Sequence, residues 1–449
     1  MLDGFFKSNN IAIIGVSREE NKIGRVIFES LLSKFNGNIY PINPNAEEIL
    51  GYRCYPSIKA IKEKIDLAVI AVPANIIIIS INDCIKKKVK NIIIVSAGFK
   101  ETGNSKLEKR LKELLLKHKI NAIGPNCLGI FDASTGLDTL FLPVSRLKRP
   151  KRGNISFICQ SGAIGSAMLD LIAGENIGIS KFISYGNATV IDESDIIEYL
   201  ANDKSTDVIC AYIEGVNNGK KFFSTLKKTA AKKPLIIIKA GITKEGHKAT
   251  LSHTGSLAGS SEVYNAVFKQ NKVIKADSLQ EIIDYAKIFA NIKKIHGNKV
   301  QIITNGGGFG IISTDSIINN NLKLACLSKK TTALLKKSLP KTVIISNPID
   351  LTGDADNPRY KLALSSCLKD KNVDVIFLII LFQTPLVDEN IVQDILSLKN
   401  KKPIVVVSAG DFFTRAIKQA LEENNIPTYA FPENAASSIR KLLEYKGKK

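Results

Sequence analysis

The 449-residue sequence predicts an α/β protein built from three doubly wound domains. Short runs of β-branched residues alternate with polar helical stretches, a pattern typical of parallel strands separated by helices. An internal repeat occupies the last two thirds of the chain. The length suits roughly three domains of about 150 residues, and the 45% hydrophobic content is enough for a core in each of them.

The first domain is predicted over residues 1–145, where five apolar runs follow one another. Continuous apolar runs of this length suit strands that are buried on both faces of a sheet. The runs are Ile11–Ile14, Ile39–Ile42, Leu67–Val72, Asn91–Ser96 and Ile120–Gly124. Polar helical stretches lie between them, so the pattern predicts a Rossmann-like domain.

Glycine- and proline-containing turns follow these runs. The first run leads through the Gly15–Gly24 turn into a helix, and the exposed N–H groups of such a turn suit a phosphate. The turn is not GxGxxG, because Ser17 stands at the second glycine position. The second run leads to Asn43, at a position where NAD-binding domains have an acidic residue that holds the ribose. An acidic residue there would repel the ribose phosphate of coenzyme A, so the neutral Asn43 fits coenzyme A at least as well as NAD. Three further turns, expected in the same crevice beyond the carboxyl ends of the strands, are Val72–Ala74, Ser96–Phe99 and Gly124–Gly129.

The remainder of the chain contains two copies of one α/β pattern. Ile155–Gly165 resembles Val300–Gly310, and Lys232–Gly241 resembles Lys401–Gly410. These matches predict a second domain at 153–296 and a third domain at 297–449. The charged run Ser145–Arg152, between the first and second domains, is interpreted as a solvated linker.

The two copies differ by an insertion. The third domain passes from its matched Ala-Gly directly into a helix predicted at Phe412–Asn424, whereas the second inserts about Ile242–Gly259 before a helix at Glu262–Gln270. His253, one of only four histidines, lies in this run of small residues. A lone histidine is often incidental, but a loop that only one copy of a duplicated scaffold carries indicates function more than folding. We therefore expect His253 to be a catalytic residue on a mobile loop.

Two further features of the second domain suit phosphate chemistry. A glycine-containing helix start follows the first strand, and the N–H groups of Ser161, Gly162 and Ala163 would point at an anion together with the helix dipole. Glu214 follows the strand predicted at Val208–Ile213, so its carboxylate stands at a carboxyl end. A strand-end acid alone is more often only a polar residue. In one domain with the histidine and the anion site, however, Glu214 is expected to bond one imidazole nitrogen and leave the other nucleophilic.

Composition excludes several classes of protein. The formal net charge is +21, but only 10 of the 63 basic residues are arginine, the lysines are spread along the chain and no aromatic-interleaved basic motif occurs. A solvated lysine-rich surface is therefore favoured over nucleic-acid binding. No apolar run approaches the ~18 residues of a membrane span, and no export signal is evident at the N-terminus. Seven scattered cysteines without a CxxC pair indicate a reducing cytoplasm and neither a zinc site nor a disulfide framework.

Several motifs in order resemble the α subunit of NDP-forming acyl-CoA synthetases, the acetate–CoA ligases (ADP-forming) related to succinyl-CoA synthetase. The motifs are Gly124–Gly129, Gln160–Ala163, Gly186–Asn187, Asp192–Asp195, Tyr212–Gly215, Ser252–Gly259, Asn305–Gly310 and Asn347–Thr352. The resemblance covers essentially the whole chain. It implies a CoA-binding Rossmann-like domain followed by two flavodoxin-like domains.

The resemblance also implies a reversible reaction in which acyl-CoA, phosphate and ADP give the free acid, CoA and ATP. Phosphate would attack the thioester to form an acyl phosphate, His253 would take the phosphoryl group, and the loop would carry it to ADP. Glu214 would orient His253, and the helix start at Ser161, Gly162 and Ala163 would hold the phosphate. The residues implied for CoA are Gly15, Ser17, Arg18, Lys22, Gly24, Asn43, Pro44, Val72, Pro73, Ser96, Ala97, Gly98, Asn126 and Cys127.

Two departures from the family pattern bear on ligands and partners. Asn45 stands where the family often has a basic residue, so Arg18 or Lys22 is expected to contact the ribose phosphate of CoA. No ATP-grasp domain follows in this sequence, which implies a separate β subunit that binds ADP or ATP and Mg²⁺ in an α₂β₂ assembly.

Two alternatives remain open from the sequence. A regulatory or scaffold subunit that binds CoA without catalysis fits the missing nucleotide domain. An NAD-dependent dehydrogenase fits the Rossmann-like start but lacks the GxGxxG turn and the acidic residue. No motif specifies the acyl group.

Overall fold

The computed structural model describes residues 2–248, 260–399 and 402–446. The chain divides into two compact units, one extending to Leu279 and one beginning at Gln280. Each unit is an α/β assembly of parallel or mixed sheets with helices packed against them. The predicted α/β fold class is therefore confirmed. In the described part of the chain, no helix combines the length and the apolar character that crossing a bilayer requires.

The first sheet is fully parallel, as the apolar runs predict. Its strands are β1 (Asn10–Ile14), β2 (Asn38–Ile42), β5 (Leu67–Ile70), β6 (Asn91–Ile94) and β7 (Asn121–Ile123), and β3 (Glu48–Ile49) and β4 (Tyr52–Arg53) form a separate hairpin. The order β2-β1-β5-β6-β7 places the topological switch between β1 and β5. The helices of this region are α1 (Asp3–Phe6), α2 (Ile23–Lys34), α3 (Ile77–Lys86) and α4 (Ser105–Lys117).

The second sheet combines a parallel core with an antiparallel edge. Its strands are β8 (Ile130–Asp132), β9 (Leu137–Asp138), β10 (Arg152–Cys159), β11 (Ile179–Ser184), β12 (Val208–Ile213), β13 (Leu235–Lys239) and β14 (Ile274–Lys275). They follow the order β14-β13-β12-β10-β11-β8-β9, and β8 pairs with β11 in antiparallel register. The first-domain segment therefore contributes two strands to this sheet. The accompanying helices are α5 (Gly162–Gly174), α6 (Glu193–Asn202), α7 (Gly219–Ala230) and α8 (Ser261–Gln270).

The third sheet, in the C-terminal unit, repeats the core of the second. Its strands are β15 (Lys299–Thr304), β16 (Lys323–Leu324), β17 (Ile344–Ile345), β18 (Ile349–Asp350), β19 (Val375–Ile379), β20 (Ile404–Val407) and β21 (Thr428–Tyr429). The order β15-β19-β20-β21 mirrors β10-β12-β13-β14, as the repeat predicts. The helices are α9 (Leu279–Asn291), α10 (Gly307–Asn319), α11 (Lys329–Ser338), α12 (Asn357–Lys369), α13 (Ile391–Leu398), α14 (Phe412–Glu423) and α15 (Pro432–Lys446).

Inside the first unit, one apolar core joins the first and second sheets. Ile13 of β1 and Phe28 of α2 belong to the same buried cluster as Ile158 of β10 and Ile183 of β11. The burial of these side chains provides the main driving force that holds the two sheets together.

The charged run Ser145–Arg152 is not wholly solvated, which corrects the interpretation made from the sequence. The Arg149 side chain is only 7% exposed, and its Nε atom lies 2.7 Å from Oδ2 of the equally buried Asp138 on β9. The guanidinium also donates hydrogen bonds to the main-chain carbonyls of Leu142 and Leu147. Arg149 therefore fastens the connecting segment to the edge of the second sheet.

Candidate active site

The predicted CoA-binding residues lie at the carboxyl edge of the first sheet, and neighbouring strand ends are joined by hydrogen bonds. Asn43 Nδ2 donates to the carbonyl of Val16 over 2.7 Å, which ties the end of β2 to the turn after β1. Ser96 Oγ donates to the carbonyl of Val72, and the main-chain N–H of Asn126 donates to the carbonyl of Ser96 over 2.9 Å. Pro44, Pro73, Ala97, Gly98 and Cys127 belong to the same strand-end segments.

Glycine is required in the turn between β1 and α2. Gly15 has a φ of +100°, and a Cβ atom on Gly24 would lie 2.1 Å from the Gly15 carbonyl oxygen. The turn is thus compact enough for its main chain to approach a ligand closely. Ser17 accepts a hydrogen bond from the Glu19 N–H, and Arg18 and Lys22 are exposed.

A second close approach joins the segment after β7 to the segment after β11. Gly186 has a φ of +56°, and a Cβ atom there would lie 2.3 Å from the carbonyl oxygens of both Pro125 and Asn126. Asn187 Nδ2 donates to Glu101 over 2.7 Å and to Glu108 over 2.8 Å. These contacts hold the carboxyl end of the first sheet against the segment that follows β11 of the second sheet.

Glu101 is an acidic residue that sequence reasoning did not single out. Its carboxylate accepts hydrogen bonds from the N–H groups of Gly98 and Phe99. Burial raises the pKa of Glu101, but the hydrogen bonds from Asn187 and from these main-chain amides outweigh it and leave the pKa below its ordinary value. The side chain is therefore ionised at neutral pH.

The predicted phosphate-binding residues form the start of α5. Ser161 is the N-cap of this helix, and its Oγ accepts the N–H of Ile164 over 3.4 Å. Gly162 and Ala163 are the first helical residues, at the positive end of a 13-residue helix. Since β10 has β11 on one side and β12 on the other, α5 begins at the topological switch point of the second sheet, where open α/β sheets bind ligands.

Glu214 stands at the end of β12, the strand beside β10, and is 7% exposed. Its N–H donates to Gln160 Oε1 over 2.8 Å, and Gln160 also accepts the N–H of Gly215. Burial and the neighbouring Glu214 carboxylate both raise the pKa of Tyr212. The two hydrogen bonds that Gln160 Oε1 accepts fix the main chain of Glu214 at the switch point.

One cavity of about 550 Å³ joins the two sheets of the first unit. Of the sequence-predicted residues, it brings together Ala97, Asn126, Cys127, Ser161, Gly162, Ala163 and Glu214. The remaining predicted CoA residues lie along the strand ends outside this lining. His253 lies outside the residues that the structure describes.

The cavity also has residues that sequence reasoning did not assign to the site. Leu128, Phe141 and Leu142 give it an apolar wall, and Lys100 lines it beside Glu101. Lys100 Nζ donates to the carbonyl of Asn187 over 3.0 Å and lies 3.6 Å from Glu108. Single leucine and phenylalanine residues carry no recognisable sequence signal, and only the fold shows that they share a wall.

Comparison with known proteins identifies the three regions. A CoA binding domain model matches residues 9–133, a succinyl-CoA ligase like flavodoxin domain model matches 152–289, and a ligase-CoA domain model matches 300–442. Together these matches confirm the predicted order of domain types.

Two curated relatives and one solved structure resemble the chain over nearly its whole length. The acetate–CoA ligase [ADP-forming] II subunit alpha of Pyrococcus furiosus is 38% identical, with 99% of this chain and 98% of the relative covered. The acetate–CoA ligase [ADP-forming] of Methanocaldococcus jannaschii is 40% identical, but the match covers 97% of this chain and only 62% of that longer protein. The dinucleotide forming acetyl-coenzyme A synthetase 1 of Ca. Korarchaeum cryptofilum, solved with phosphate and ADP, is 35% identical with a TM-score of 0.92, covering 100% and 97% of the two chains. The domain order, the cavity at the switch point and this full-length similarity lead to one assignment: the chain belongs to the family of ADP-forming acetate–CoA ligases and matches their α subunits.

Proposed function

We propose that the chain is the catalytic α subunit of an ADP-forming acyl-CoA synthetase. The reaction converts acyl-CoA, phosphate and ADP into the free carboxylic acid, CoA and ATP, and it is reversible. The observation that carries this proposal is the single cavity lined by Glu214, the start of α5 and the strand ends of the first sheet. A thioester and a phosphate have to meet in one place for this reaction, and the cavity connects the positions expected for both.

The strand-end segments of the first sheet fit CoA. The Gly15–Gly24 turn offers main-chain N–H groups, and the exposed side chains of Arg18 and Lys22 add positive charge beside the neutral Asn43. Phosphate groups favour this combination of amides and cations. The thiol end of CoA would enter the cavity near Ala97, Asn126 and Cys127.

The chemistry proceeds in three transfers, each of which exchanges one bond. An oxygen of inorganic phosphate held at Ser161, Gly162 and Ala163 attacks the carbonyl carbon of the thioester. The C–S bond breaks, CoA leaves, and the acyl phosphate remains in the site. A ring nitrogen of His253 then attacks phosphorus, and the carboxylic acid leaves. Finally an oxygen of ADP attacks the phosphohistidine, which gives ATP and restores His253.

Glu214 acts on His253 in the second transfer. Its carboxylate accepts the N–H of one imidazole nitrogen, which fixes the tautomer and stabilises the positive charge that develops on the ring. The low exposure of Glu214 strengthens this interaction, because the local dielectric constant is below that of water.

A separate β subunit completes the enzyme in this proposal. The Pyrococcus furiosus relative is named a subunit alpha, and the chain covers 98% of it. The β subunit would be an ATP-grasp protein that holds ADP and Mg²⁺, in an α₂β₂ assembly located in the cytoplasm. The substrate is a small carboxylic acid or its CoA ester, with acetate the acid named for the similar relatives.

The domain boundaries at 1–145, 153–296 and 297–449 also remain a proposal. They follow the sequence repeat, whereas β8 and β9 pair within the second sheet and α9 lies almost entirely in the C-terminal unit.

The test is phosphorylation of His253. The chain and its β partner are incubated with acetyl-CoA and radiolabelled phosphate, and label that is stable to alkali and labile to acid is measured. We expect label in the natural chain and in His118→Ala, a control at the end of α4, and none in His253→Ala. Label or turnover retained in His253→Ala would overturn the histidine route.

A parallel measurement separates catalysis from CoA binding alone. His253→Ala should bind CoA as the natural chain does, because the histidine lies outside the strand-end segments of the first sheet. CoA binding without label across a panel of acyl-CoAs would instead support the regulatory subunit. Tight NADH binding that CoA does not displace would support the dehydrogenase.

A further inference from the structure

A buried lysine stands beside the proposed site and has no part in the transfers above. Lys239 is the last residue of β13 and is 4% exposed. Its Nζ atom donates to the main-chain carbonyl of Glu214 over 2.8 Å and to the carbonyl of Ala240, and it lies 4.8 Å from the centroid of the Tyr264 ring. A buried ammonium is costly unless it is compensated, and here two carbonyl oxygens and an aromatic face compensate it.

The partners of Lys239 flank the insertion of the second domain. Ala240 precedes the inserted segment 242–259, and Tyr264 lies on α8, the helix that follows it. Ser260, the N-cap of α8, accepts the N–H of Val263, so the far stem begins with a formed helix start. One cation therefore contacts the end of β12, the near stem of the insertion and the far stem.

The third domain shows that the fold does not need this charge. Ser408 occupies the position of Lys239, before the matched Ala-Gly, and its Oγ donates to the carbonyl of Ile380 over 2.6 Å. A short neutral side chain satisfies a strand-end carbonyl there, and that copy has no insertion. The lysine and the insertion thus occur together in one copy and are both absent from the other.

Burial also makes the Lys239 ammonium less stable than an exposed one. It lowers the pKa of Lys239 to about 8, and the nearby Glu214 carboxylate opposes that shift. Replacement of a buried charge by an apolar side chain of similar volume is often neutral or stabilising, so stability alone does not account for Lys239.

We propose that Lys239 is a positioning residue that joins the two stems of the inserted loop to the main chain of Glu214. This inference rests on the proposed function, because it concerns the loop that carries His253. The bridge sets where both ends of the loop leave the domain relative to Glu214 and the start of α5. Without it, the stems separate and the histidine reaches phosphate in the productive geometry less often, while CoA binding is unaffected.

The test replaces Lys239 by methionine, which keeps the volume and removes the charge and the donors. The rate of phosphohistidine formation is measured in a single turnover with acetyl-CoA and radiolabelled phosphate, together with the KM for CoA. We expect the rate to fall about tenfold or more, because small misplacements of a reacting group have large effects on rate, and the KM for CoA to stay within about twofold.

Lys287→Met is the matched control. Lys287 is also 4% exposed, donates to the main-chain carbonyl of Thr428 and lies 5.0 Å from the centroid of the Tyr429 ring, but it belongs to the C-terminal unit. Lys287 Nζ also lies 3.8 Å from the buried carboxylate of Asp284, so its loss should lower thermal stability at least as much as the loss of Lys239 and leave the rate of phosphorylation within about twofold. An equal fall in rate in both variants would overturn the positioning role.

A second pair of variants keeps the proposal testable if Lys239→Met fails to fold. Tyr264→Phe retains the aromatic face and should behave as the natural chain, whereas Tyr264→Leu removes it and should slow phosphorylation several-fold. A natural rate in Lys239→Met, or equal rates in the two Tyr264 variants, would overturn the inference. Turnover without His253 would instead overturn the proposed function, so the two failures are distinguishable.

Discussion

In the second domain Glu214 follows β12 and Lys239 ends β13, whereas in the third domain Leu381 and Ser408 stand just after the equivalent strands β19 and β20. The scaffolding around these positions is otherwise alike. The side chain of Gln160 accepts the N–H of Glu214, and the side chain of Asn305 accepts the N–H of Leu381 over 2.9 Å. In both copies an amide side chain after the first strand accepts a main-chain N–H at the end of the neighbouring strand. The copies differ in whether charged side chains stand at these strand ends.

A third buried group, which can carry a charge, follows the same rule. Glu193 is the first residue of α6 and is 1% exposed, and Asn357 holds the equivalent place at the start of α12, where it bonds Asp388. Burial, followed by repulsion from Asp192, raises the pKa of Glu193 to about 8. Among the described residues, Glu193 Oε1 is a buried atom without a hydrogen-bond partner.

Buried ionisable groups cost free energy, and the third domain, with neutral Leu381, Ser408 and Asn357 at the equivalent positions, shows that this architecture folds without them. Their retention in one copy points to chemistry rather than folding. Substitutions that make the second domain more like the third, or that change both domains in the same way, separate these two roles.

The largest effect is expected from Glu214→Leu, which places the third domain's residue in the second. Turnover and His253 phosphorylation should fall by about 100-fold or more, since the carboxylate orients the imidazole and stabilises the positive charge that develops on its ring. Single-turnover labelling with radioactive phosphate measures this loss. Leu381→Met serves as the control and should leave the rate unchanged; a comparable loss there would mean that strand ends in general are sensitive.

Glu193→Gln should change how stability depends on pH. The folded-state pKa of about 8 lies above the ordinary value of 4.5, so the folded state binds the extra proton between these limits. The contribution is full below about pH 4.5 and is lost as pH rises through about 8, at up to about 1.4 kcal/mol per pH unit.

Thermal unfolding followed between pH 5 and pH 8 tests this dependence on Glu193. The natural chain should lose stability as pH rises, and Glu193→Gln should lose less of it. Glu198→Gln, an exposed carboxylate on the same helix, should retain the natural slope. Parallel slopes in all three proteins would contradict the assignment.

Gln160→Leu and Asn305→Leu alter the feature that the two copies share. Each substitution leaves at least one buried main-chain N–H without its acceptor, so each should cost about 1–2 kcal/mol of stability. Calorimetry of the two variants measures the cost. Similar losses of stability are expected in the two variants. Only Gln160→Leu should also slow phosphorylation, because only Gln160 accepts the main-chain N–H of Glu214.

The smallest effect is expected from Ser161→Gly. The equivalent N-cap of α10 is Gly306, which has no side-chain cap, whereas Ser161 caps α5 through its Oγ. Glycine is a fair N-cap, so stability should fall by only a few tenths of a kcal/mol. The KM for phosphate, measured in the direction of ATP synthesis, should rise modestly if the hydroxyl also contacts the anion. Ser328→Gly, at the N-cap of α11, provides the control for capping alone.

Much of the fold follows from local sequence pattern. The strand predicted at Val208–Ile213 has those limits in the structure, and the helix predicted at Phe412–Asn424 ends one residue earlier. Continuous apolar runs and glycine turns determine such elements locally. The strands β8 and β9 were not recognised from the sequence, because they span only three and two residues. They also belong to a sheet whose other strands come later in the sequence.

Some residues of the candidate site could likewise be predicted from local sequence, and others could not. Glu214 and Ser161 were identified because each follows a strand within a distinctive motif. Lys239 carried no such signal, because a lysine at a strand end usually points into solvent and only the Tyr264 ring and the Glu214 carbonyl reveal its burial. The same holds for Phe141, which meets the cavity through a segment without regular structure.

The pairing of β8 with β11 has a consequence for separating the chain into parts. An unpaired strand at the edge of a sheet is a template for intermolecular β-pairing and hence for aggregation. In the intact chain β8, supplied by the CoA-binding segment, covers the edge of β11 along Lys181, Phe182 and Ile183. A chain cut near residue 145 would expose that edge on one fragment and leave an orphaned hairpin on the other. The first two domains are therefore expected to stay soluble only when they remain on one chain, and a gene fission between β9 and β10 should not be tolerated.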